Sequence, residues 1–298
     1  MADPSVVTQV AETDDLLLAY EARGPKDGPP VLLLHGWPDD VRAWDAVAAP
    51  LAAAGFRTLA PYLRGFGPTR FREASTPRTA QPTVLASDVV QFMEALGLEK
   101  ATVVGHDWGG RIGYTLAALC PQKVERLIAL SVPYQTGVPD GATLDCEQQR
   151  AYWYQWFFGS ERAREALDGD RRKVCRYLWQ TWAPSWKFTE EAFETTAASW
   201  DNPDWVDVTL HSYRVRWGNV PGDERFAALD QRLEAHPPIT VPTAVLHGEE
   251  DGATLLAATE NQASSFSSDY RREVLRNVGH FIPRERPEAV LSALVDDR

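Results

Sequence analysis

The sequence predicts an α/β protein whose mostly parallel central sheet is flanked by helices and interrupted by a helical insertion. Short apolar runs bounded by Gly and Pro alternate with longer stretches that repeat apolar residues every three or four positions, which is typical of parallel strands joined by crossover helices. This alternation stops after Pro133 and returns at Ile239, and the pattern from about 134 to 220 is helical only. Because neither flanking half holds a complete sheet, the helical block is interpreted as an insertion into one domain.

Apolar runs place seven strands in the two flanking halves. They are predicted at 16–21, as part of an antiparallel lead-in hairpin, and at 31–35, 57–60, 101–105, 126–132, 242–247 and 270–276. Residues 41–54, 84–96 and 110–120 have the spacing of amphipathic helices and should pack on the faces of the sheet. The predicted core domain comprises residues 1–133 and 221–298.

The inserted segment, residues 134–220, is predicted to form a helical cap. Its helices should span 147–158, 171–182, 190–200 and 205–217, with Pro184 and Pro203 as breakers. Eight of the 11 tryptophans lie between residues 151 and 217. Since aromatic side chains contribute large buried areas, most of them are expected to form the core of the cap and its seal against the main domain.

Composition excludes several classes of function. The chain has 298 residues, 44% hydrophobic and 24% charged, as in soluble globular proteins, and its net charge of -12 disfavours nucleic acid binding. No segment has the roughly 18 apolar residues that cross a bilayer, and residues 1–12 lack a signal-peptide pattern, so a cytoplasmic location is expected. The three cysteines lack metal-ligand spacing and are expected to be buried and reduced, with no metal bound.

Residues 105–110, with the sequence GHDWGG, carry the strongest local signal of chemistry. They lie between a predicted strand and a predicted helix, in the layout of the nucleophile elbow G-x-S-x-G with Asp107 in place of the serine. Small residues suit this turn because it is tight and the helix must pack close to the strand that it leaves. Asp107 would then project above the sheet at a helix N-terminus, which stabilises negative charge. The alternative is that Asp107 is only the N-cap of the helix.

Two further motifs follow predicted strands nearer the C-terminus. The segment 245–251, VLHGEED, ends in Asp251, and the segment 278–281, VGHF, contains His280. Each alone is weak, because Asp251 fits a turn acid, His280 fits a structural histidine, and Glu249 and Glu250 are rival acids. The order nucleophile, acid, histidine is nevertheless that of a catalytic triad whose nucleophile occupies such an elbow.

The HGWP segment at residues 35–38 follows a predicted strand and is a candidate for part of an oxyanion hole. With an elbow nucleophile, one N–H donor comes from the residue after the nucleophile and another from the loop after an early strand. The backbone N–H groups of Trp108 and Trp37 would supply these two donors. The alternative is that the segment only ends a strand in a turn.

With these motifs the chain resembles the α/β-hydrolase superfamily and, within it, the epoxide hydrolase branch, whose members carry H-G-x-P, an Asp-centred elbow and two tyrosines in a helical cap. The resemblance covers nearly the whole chain and implies the α/β-hydrolase fold, with no cofactor. It also implies that Tyr154, in YQWFF, and Tyr213, in HSYR, are ring-opening acids. Both could instead be packing residues of an aromatic-rich block. Tyr62 departs from the family by replacing the usual acid of the D-x-R-G-x-G turn, which indicates a divergent subgroup.

An aspartate nucleophile determines the kind of reaction. A serine that attacked a saturated carbon would form an ether, whereas Asp107 would form an ester that water can hydrolyse. His280, oriented by Asp251, would activate that water, and the N–H groups of Trp37 and Trp108 would stabilise the oxyanion. The predicted function is therefore hydrolysis of an epoxide to a vicinal diol.

The substrate pocket is expected to include Trp156, Phe157, Trp217 and Pro38, which favours bulky apolar or aromatic epoxides. Two other functions stay open: a haloalkane dehalogenase that uses the same aspartate, and a non-catalytic ligand-binding protein with the same fold. The paired cap tyrosines, and Trp37 where dehalogenases commonly have a halide-binding Asn, favour the epoxide hydrolase. No nucleic-acid or membrane partner is expected, and a homodimer is compatible with the sequence.

Overall fold

The computed structural model describes residues 7–135 and 145–295. Residues 1–6, part of the segment considered for a signal peptide, and residues 136–144, part of the predicted cap, lie outside this description. The strands of the described residues are β1 (Thr8–Glu12), β2 (Leu16–Arg23), β3 (Pro30–Leu34), β4 (Arg57–Pro61), β5 (Arg70–Phe71), β6 (Ala101–His106), β7 (Val124–Leu130), β8 (Thr243–Gly248) and β9 (Tyr270–Leu275).

Helices flank these strands and fill the insertion. They are α1 (Asp45–Ala53), α2 (Pro82–Ala95), α3 (Trp108–Leu119), α4 (Cys146–Ala151), α5 (Trp153–Phe158), α6 (Arg162–Trp182), α7 (Glu190–Ala197), α8 (Trp205–Arg216), α9 (Ala227–Glu234), α10 (Ile282–Glu285) and α11 (Pro287–Val295). Among the helices described, none combines the length and the apolar character that crossing a membrane requires.

The nine strands form one sheet, with the order β1-β2-β4-β3-β6-β7-β8-β9 and with β5 paired to β2. The pairings from β4 through β3, β6, β7 and β8 to β9 are all parallel. Strand β2 pairs antiparallel with β1, β4 and β5. The predicted α/β class with a mostly parallel sheet is therefore confirmed.

The register of the sheet brings the carboxyl ends of four parallel strands to one edge. Leu34 in β3 pairs with Gly105 in β6, and Leu130 in β7 pairs with both His106 in β6 and Leu246 in β8. The loops that follow β3, β6 and β8 consequently leave the sheet side by side. Ligand sites of open α/β sheets form at this edge.

Helix α3 packs against β6 and β7 at short distance because its inner face is apolar and partly glycine. Ile112, Leu116 and Ala117 are buried on that face. A Cβ on Gly113 would lie only 2.5 Å from Leu127 Cδ1 of β7. The sheet therefore fixes the position of the N-terminus of α3, which follows directly from the end of β6.

Helices α4 to α8 lie between β7 and β8 in the chain and correspond to the inserted segment. Their interior is aromatic, since Trp179, Trp182, Trp200 and Trp205 are fully buried. The last turn of α6 also contacts the sheet domain: Trp182 O accepts hydrogen bonds from Gly252 N at 3.1 Å and from His280 N at 3.0 Å. The insertion is thereby tied to the loops that follow β8 and β9.

Several element boundaries differ from the sequence-based expectation. The helix predicted at 147–158 is divided at Tyr152, whose φ of -82° and ψ of 13° end α4. Helix α6 begins at Arg162 rather than at 171, because its first half is too polar to show an apolar period and its backbone kinks at Asp170. The α-helix predicted at 190–200 ends at Ala197 and continues as a 3-10 turn.

The cysteines correct one expectation. Cys175 is buried, but Cys120 is only half-buried and Cys146 is exposed at the start of α4, and all three are free thiols. The expectation of burial was therefore wrong for two of the three: Cys146 lies in the polar first turn of α4, and Cys120 follows the last residue of α3.

Replacement of Gly109 by alanine should destabilise the fold. A Cβ at this position would overlap the carbonyl group of Leu34 in β3, so α3 would have to move away from the sheet. We expect a cost of about 3 kcal/mol or more in the free energy of unfolding, measured by urea denaturation. Gly169→Ala is the matched control, because nothing lies within 4 Å of a Cβ there. Equal stability of the two variants would contradict this packing.

Candidate active site

Asp107 occupies a sharp turn between β6 and α3. Its φ of 50° lies in the left-handed region that residues with a Cβ seldom adopt. Backbone hydrogen bonds fix the turn on both sides, because Asp107 N donates to Leu130 O at 3.1 Å and Arg111 N donates to Asp107 O at 3.0 Å. The carboxylate is thereby held at the N-terminus of α3, where the helix dipole stabilises negative charge.

Glycines allow the neighbouring backbone to approach this turn. A Cβ on Gly105 would overlap the carbonyl of Gly109, one turn further along the chain. A Cβ on Gly36, in the loop after β3, would lie 2.5 Å from Asp107 Cβ. The loop after β3 therefore passes in direct contact with the Asp107 side chain.

His280 and Asp251 meet beside Asp107. His280 Nδ1 lies 2.8 Å and 3.0 Å from the two carboxylate oxygens of Asp251. Asp251 Oδ1 also accepts hydrogen bonds from Ala253 N at 2.8 Å and Thr254 N at 2.9 Å, which fix its orientation. Of the three consecutive acids at 249–251, the one that contacts His280 is Asp251.

The other imidazole nitrogen of His280 faces the elbow. His280 Nε2 lies 3.8 Å from Asp107 Oδ2, is buried, and has no hydrogen-bond partner in the described part of the chain. A bond between Nδ1–H and Asp251 leaves Nε2 unprotonated in the neutral ring. His280 can therefore accept a proton at the position next to the Asp107 carboxylate.

The charge of Asp251 controls the protonation of His280. Burial alone would lower the pKa of His280, but the charge and the hydrogen bond of Asp251, together with the charge of Asp107, raise the pKa above its ordinary value of 6.5. A histidine with a raised pKa is a stronger base than a free imidazole. His106 is also buried, but burial dominates there and lowers its pKa to about 4.

Trp37 contacts both Asp107 and the insertion. Its backbone N–H donates to Asp107 Oδ1 at 2.9 Å, and its indole N–H donates to Thr209 Oγ1 of α8, also at 2.9 Å. No corresponding bond from Trp108 N to Asp107 is present among the described residues, so its part in the oxyanion hole stays a prediction. The two oxygens of Asp107 consequently differ: Oδ1 is bonded to Trp37, and Oδ2 faces His280.

Tyr154 and Tyr213 reach the same place from α5 and α8. Their ring centroids are 5.5 Å apart, and the indole of Trp37 stacks on Tyr154 and meets Tyr213 edge-on. Burial raises the pKa of both phenols, and the charge of Asp107 raises each further. Both hydroxyls therefore stay protonated at neutral pH and can donate hydrogen bonds.

A chain of hydrogen bonds orients Tyr154. Trp217 Nε1 donates to Gln155 Oε1 at 3.0 Å, and Gln155 Nε2 donates to the Tyr154 hydroxyl at 2.8 Å. Because the hydroxyl accepts from Gln155, its own proton is directed elsewhere. Gln155 was not among the site residues predicted from the sequence. Its only sequence signal is that it is a polar residue within an aromatic run.

Arg214 links the two helices that carry the tyrosines. From α8, next to Tyr213, it donates to Phe158 O at 3.1 Å and to Ser160 O at 3.0 Å, at the end of α5. These two hydrogen bonds fix the side chain of Arg214, which lies in the HSYR segment and does not contact Asp107. It holds the C-terminus of α5 beside α8.

A cavity of about 280 Å³ opens above Asp107. Its wall includes Asp107, Trp108, Tyr154 and Tyr213. The four residues expected in the pocket wall, Trp156, Phe157, Trp217 and Pro38, are not among the residues that line it.

Three of these four residues make contacts elsewhere. Trp156 is on the outer side of α5, 44% exposed, and packs against Trp217 in a tilted arrangement at a centroid distance of 4.2 Å. Pro38 O accepts a hydrogen bond from the indole of Trp200. Tyr62, the departure from the family motif, donates to Glu21 and is likewise absent from the cavity lining.

Across 7–135 and 145–295, no three His, Cys, Asp or Glu side chains are grouped so that they could hold a metal ion.

The chain is similar to known proteins over nearly its full length. Residues 29–287 match the family model described as the alpha/beta hydrolase fold. A crystal structure from Klebsiella pneumoniae, of a protein provisionally described as an epoxide hydrolase, is 39% identical and covers 97% of this chain and 96% of that chain, with a TM-score of 0.92. Epoxide hydrolase A of Mycobacterium tuberculosis is 26% identical, and AB hydrolase superfamily protein YfhM of Bacillus subtilis is 27% identical, each over 97% of this chain and 96% of its own length.

The chain therefore belongs to the α/β-hydrolase fold family and is a hydrolase. Within this family it groups with the epoxide hydrolase branch, as the resemblance of its motifs implied.

Replacement of Asp251 by asparagine should lower the pKa of His280. Burial would then act against the charged imidazole with only the charges of Asp107 and Glu285 to oppose it, so we expect a pKa below 6.5 in place of one above it. Titration of the labelled imidazoles by NMR measures this change. His35, whose pKa burial lowers to about 4 without a contribution from Asp251, is the internal control. An unchanged titration of His280 would contradict the pairing with Asp251.

Proposed function

We propose that the protein is an epoxide hydrolase that converts an epoxide to a vicinal diol through an ester on Asp107. The observation that carries this proposal is the unequal environment of the two Asp107 oxygens. Oδ1 accepts a hydrogen bond from Trp37 N–H, while Oδ2 lies 3.8 Å from His280 Nε2, and Asp107 lines the cavity. An ester carbonyl at Oδ1 and an alkyl group at Oδ2 would fit these two environments.

In the first step, Asp107 Oδ2 attacks a carbon of the epoxide. A carbon–oxygen bond forms to Oδ2, the ring carbon–oxygen bond breaks, and the ring oxygen gains negative charge. We infer that Tyr154 and Tyr213 hydrogen-bond this oxygen and supply its proton, because both line the cavity and both stay protonated at neutral pH. Buried donors aimed at a developing oxyanion can lower a barrier by a few kcal/mol each.

In the second step, water hydrolyses the ester. His280 Nε2 takes a proton from the water, whose oxygen bonds to Cγ of Asp107 and places negative charge on Oδ1. The N–H of Trp37, and by prediction that of Trp108, stabilises this oxyanion. The bond between Cγ and Oδ2 then breaks, and the diol leaves with Oδ2. The proton held by His280 protonates the alkoxide on Oδ2. The second proton of the water, left on the new carboxyl group of Asp107, returns to the tyrosine that gave its proton in the first step, so that Asp107 ends as a carboxylate and His280 as a neutral ring.

Haloalkane dehalogenation is the alternative reaction for an aspartate at this position. It needs donors that hold a leaving halide, and the indole N–H of Trp37 is already donated to Thr209. The paired tyrosines, in contrast, are suited to an oxygen leaving group. The geometry thus supports an epoxide as substrate.

Further parts of the proposal concern organisation. We propose residues 134–220 as the cap that covers the cavity over a core of 1–133 and 221–298, because α5 and α8 bring Tyr154 and Tyr213 to the cavity wall. An apolar or aromatic epoxide fits the aromatic residues of that wall. The cytoplasmic location and the homodimer stay predictions of the sequence.

His280→Gln should accumulate the covalent ester. Attack by Asp107 needs no base, whereas hydrolysis of the ester does, so incubation with an epoxide such as styrene oxide should add the mass of one epoxide to the intact protein. Mass spectrometry of the intact chain measures the adduct. The control is the double variant Asp107→Asn with His280→Gln, which should stay unmodified. Loss of diol formation without any adduct across terminal, aryl and disubstituted epoxides would refute the proposed mechanism.

Replacing Tyr154 and Tyr213 by phenylalanine should slow ring opening. Each single variant should lose roughly 10²-fold in kcat and the double variant more, since each removes one donor to the ring oxygen. Diol formation and halide release from 1-haloalkanes are measured in parallel. Tyr177→Phe, at an exposed position on α6, is the control and should match the wild type. Retained halide release together with unchanged epoxide turnover would instead support a dehalogenase.

A further inference from the structure

Two arginines line the same cavity as Asp107 and the tyrosines. Arg216 is the last residue of α8, three positions after Tyr213, and Arg111 lies on α3, four positions after Asp107. Tyr213 and Arg216 are spaced to share one face of α8, and Arg111 N donates to Asp107 O at 3.0 Å in the first turn of α3. Each arginine therefore lies one helical turn from a residue to which the proposed function assigns a role in the reaction.

Neither arginine has an acidic partner among the residues that the structure describes. The side chain of Arg111 makes no hydrogen bond or ion pair there, and Arg216 makes a single hydrogen bond, from Nη2 to Gln135 Oε1 at 3.2 Å. Arg216 Nε is buried, and no described residue is its hydrogen-bond partner. Other buried arginines of this chain are paired, such as Arg64 with Asp88 and Arg284 with Asp39.

The two cations also repel each other. Burial lowers the pKa of Arg216 to about 10, and the positive charge of Arg111 is the next cause of that shift. The guanidinium of Arg216 lies 5.6 Å from the ring centroids of Tyr152 and of Trp217, so the aromatic faces compensate only part of its charge. An anion bound between the two guanidinium groups would accept a hydrogen bond from Arg216 Nε and would offset the repulsion between the two positive charges.

The remaining charges of the cavity wall restrict the kind of anion. Asp107 contributes one negative charge in the same cavity, and Asp230 and Glu234 contribute two more on the side of α9. Asp230 is held in place by Thr83 and Gln81. A dianion would be repelled more strongly than a monoanion, and the planar fork of a guanidinium matches a carboxylate.

We propose that Arg216 and Arg111 bind a carboxylate of the substrate, so that the protein acts on epoxides that carry a carboxylic acid a few bonds from the ring. This inference rests on the proposed epoxide hydrolysis. The carboxylate faces the two arginines, and the epoxide is thereby directed toward Asp107 and the tyrosines. The arginines determine which end of the substrate enters, in a chain whose net charge is otherwise strongly negative.

The test compares an epoxy acid with its methyl ester, which has the same carbon skeleton and no charge. Wild-type enzyme should prefer the acid in kcat/KM by about tenfold or more, since charge-assisted hydrogen bonds are stronger than neutral ones. Arg216→Gln and Arg111→Gln should each reduce this acid-to-ester ratio. Arg150→Gln removes the same charge from an exposed site on α4 and should keep the wild-type ratio. Equal turnover of acid and ester by the wild type would overturn the carboxylate site and leave the epoxide hydrolysis intact.

A binding measurement separates failure of this inference from failure of the proposed function. Calorimetric titration of the wild-type protein with phenylacetate and with the isosteric phenylacetamide needs no turnover and no variant. Tighter binding of phenylacetate, weakened in Arg216→Gln, would support the carboxylate site even when no epoxide is hydrolysed. Equal binding of the acid and the amide would overturn it.

Discussion

The turn at Asp107 is the constraint on which the rest of the site depends. Its left-handed backbone is seldom adopted by a residue with a Cβ, and it persists because bonds to Leu130 and Arg111 hold both sides. The carboxylate must stand clear of the sheet so that Trp37 can bond one oxygen while His280 faces the other. A backbone with negative φ at Asp107 would direct the carboxylate away from Trp37 or from His280. The absence of side chains at Gly36, Gly105 and Gly109 is therefore a requirement of the site as well as of the packing.

Trp37 extends this constraint to the inserted helices. Its N–H binds Asp107, its indole N–H binds Thr209 on α8, and its ring contacts both Tyr154 and Tyr213. The last turn of α6 adds a second connection, since Trp182 O accepts from His280 N. The proposed nucleophile, base and ring-opening acids are thus positioned against one another by fully buried tryptophans. Trp37 and Trp182 thus have structural roles in these contacts, whereas the wall of the cavity is formed largely by other residues.

Features that depend on short stretches of sequence were predictable, and features that depend on tertiary packing were not. Alternating apolar runs predicted the parallel strands, and the spacing of small residues around Asp107 predicted the elbow, because both are set by short-range sterics. Strand β5, with two residues, and the break at Tyr152 left no periodic signal. The four residues expected in the cavity wall lie elsewhere because the face that a helical aromatic presents depends on tertiary packing. The lack of an acidic partner for Arg216 among the described residues is likewise invisible in a sequence, because it depends on tertiary packing.

The most direct test of the central claim is a single turnover of an epoxide with wild-type protein in excess in ¹⁸O-labelled water. The account predicts that the first diol carries an unlabelled oxygen from Asp107, and that the peptide containing Asp107 gains one labelled oxygen, as read by mass spectrometry after digestion. Labelled oxygen in the first diol, with none in the Asp107 peptide, would mean that water attacks the epoxide directly. That result would contradict the ester on Asp107.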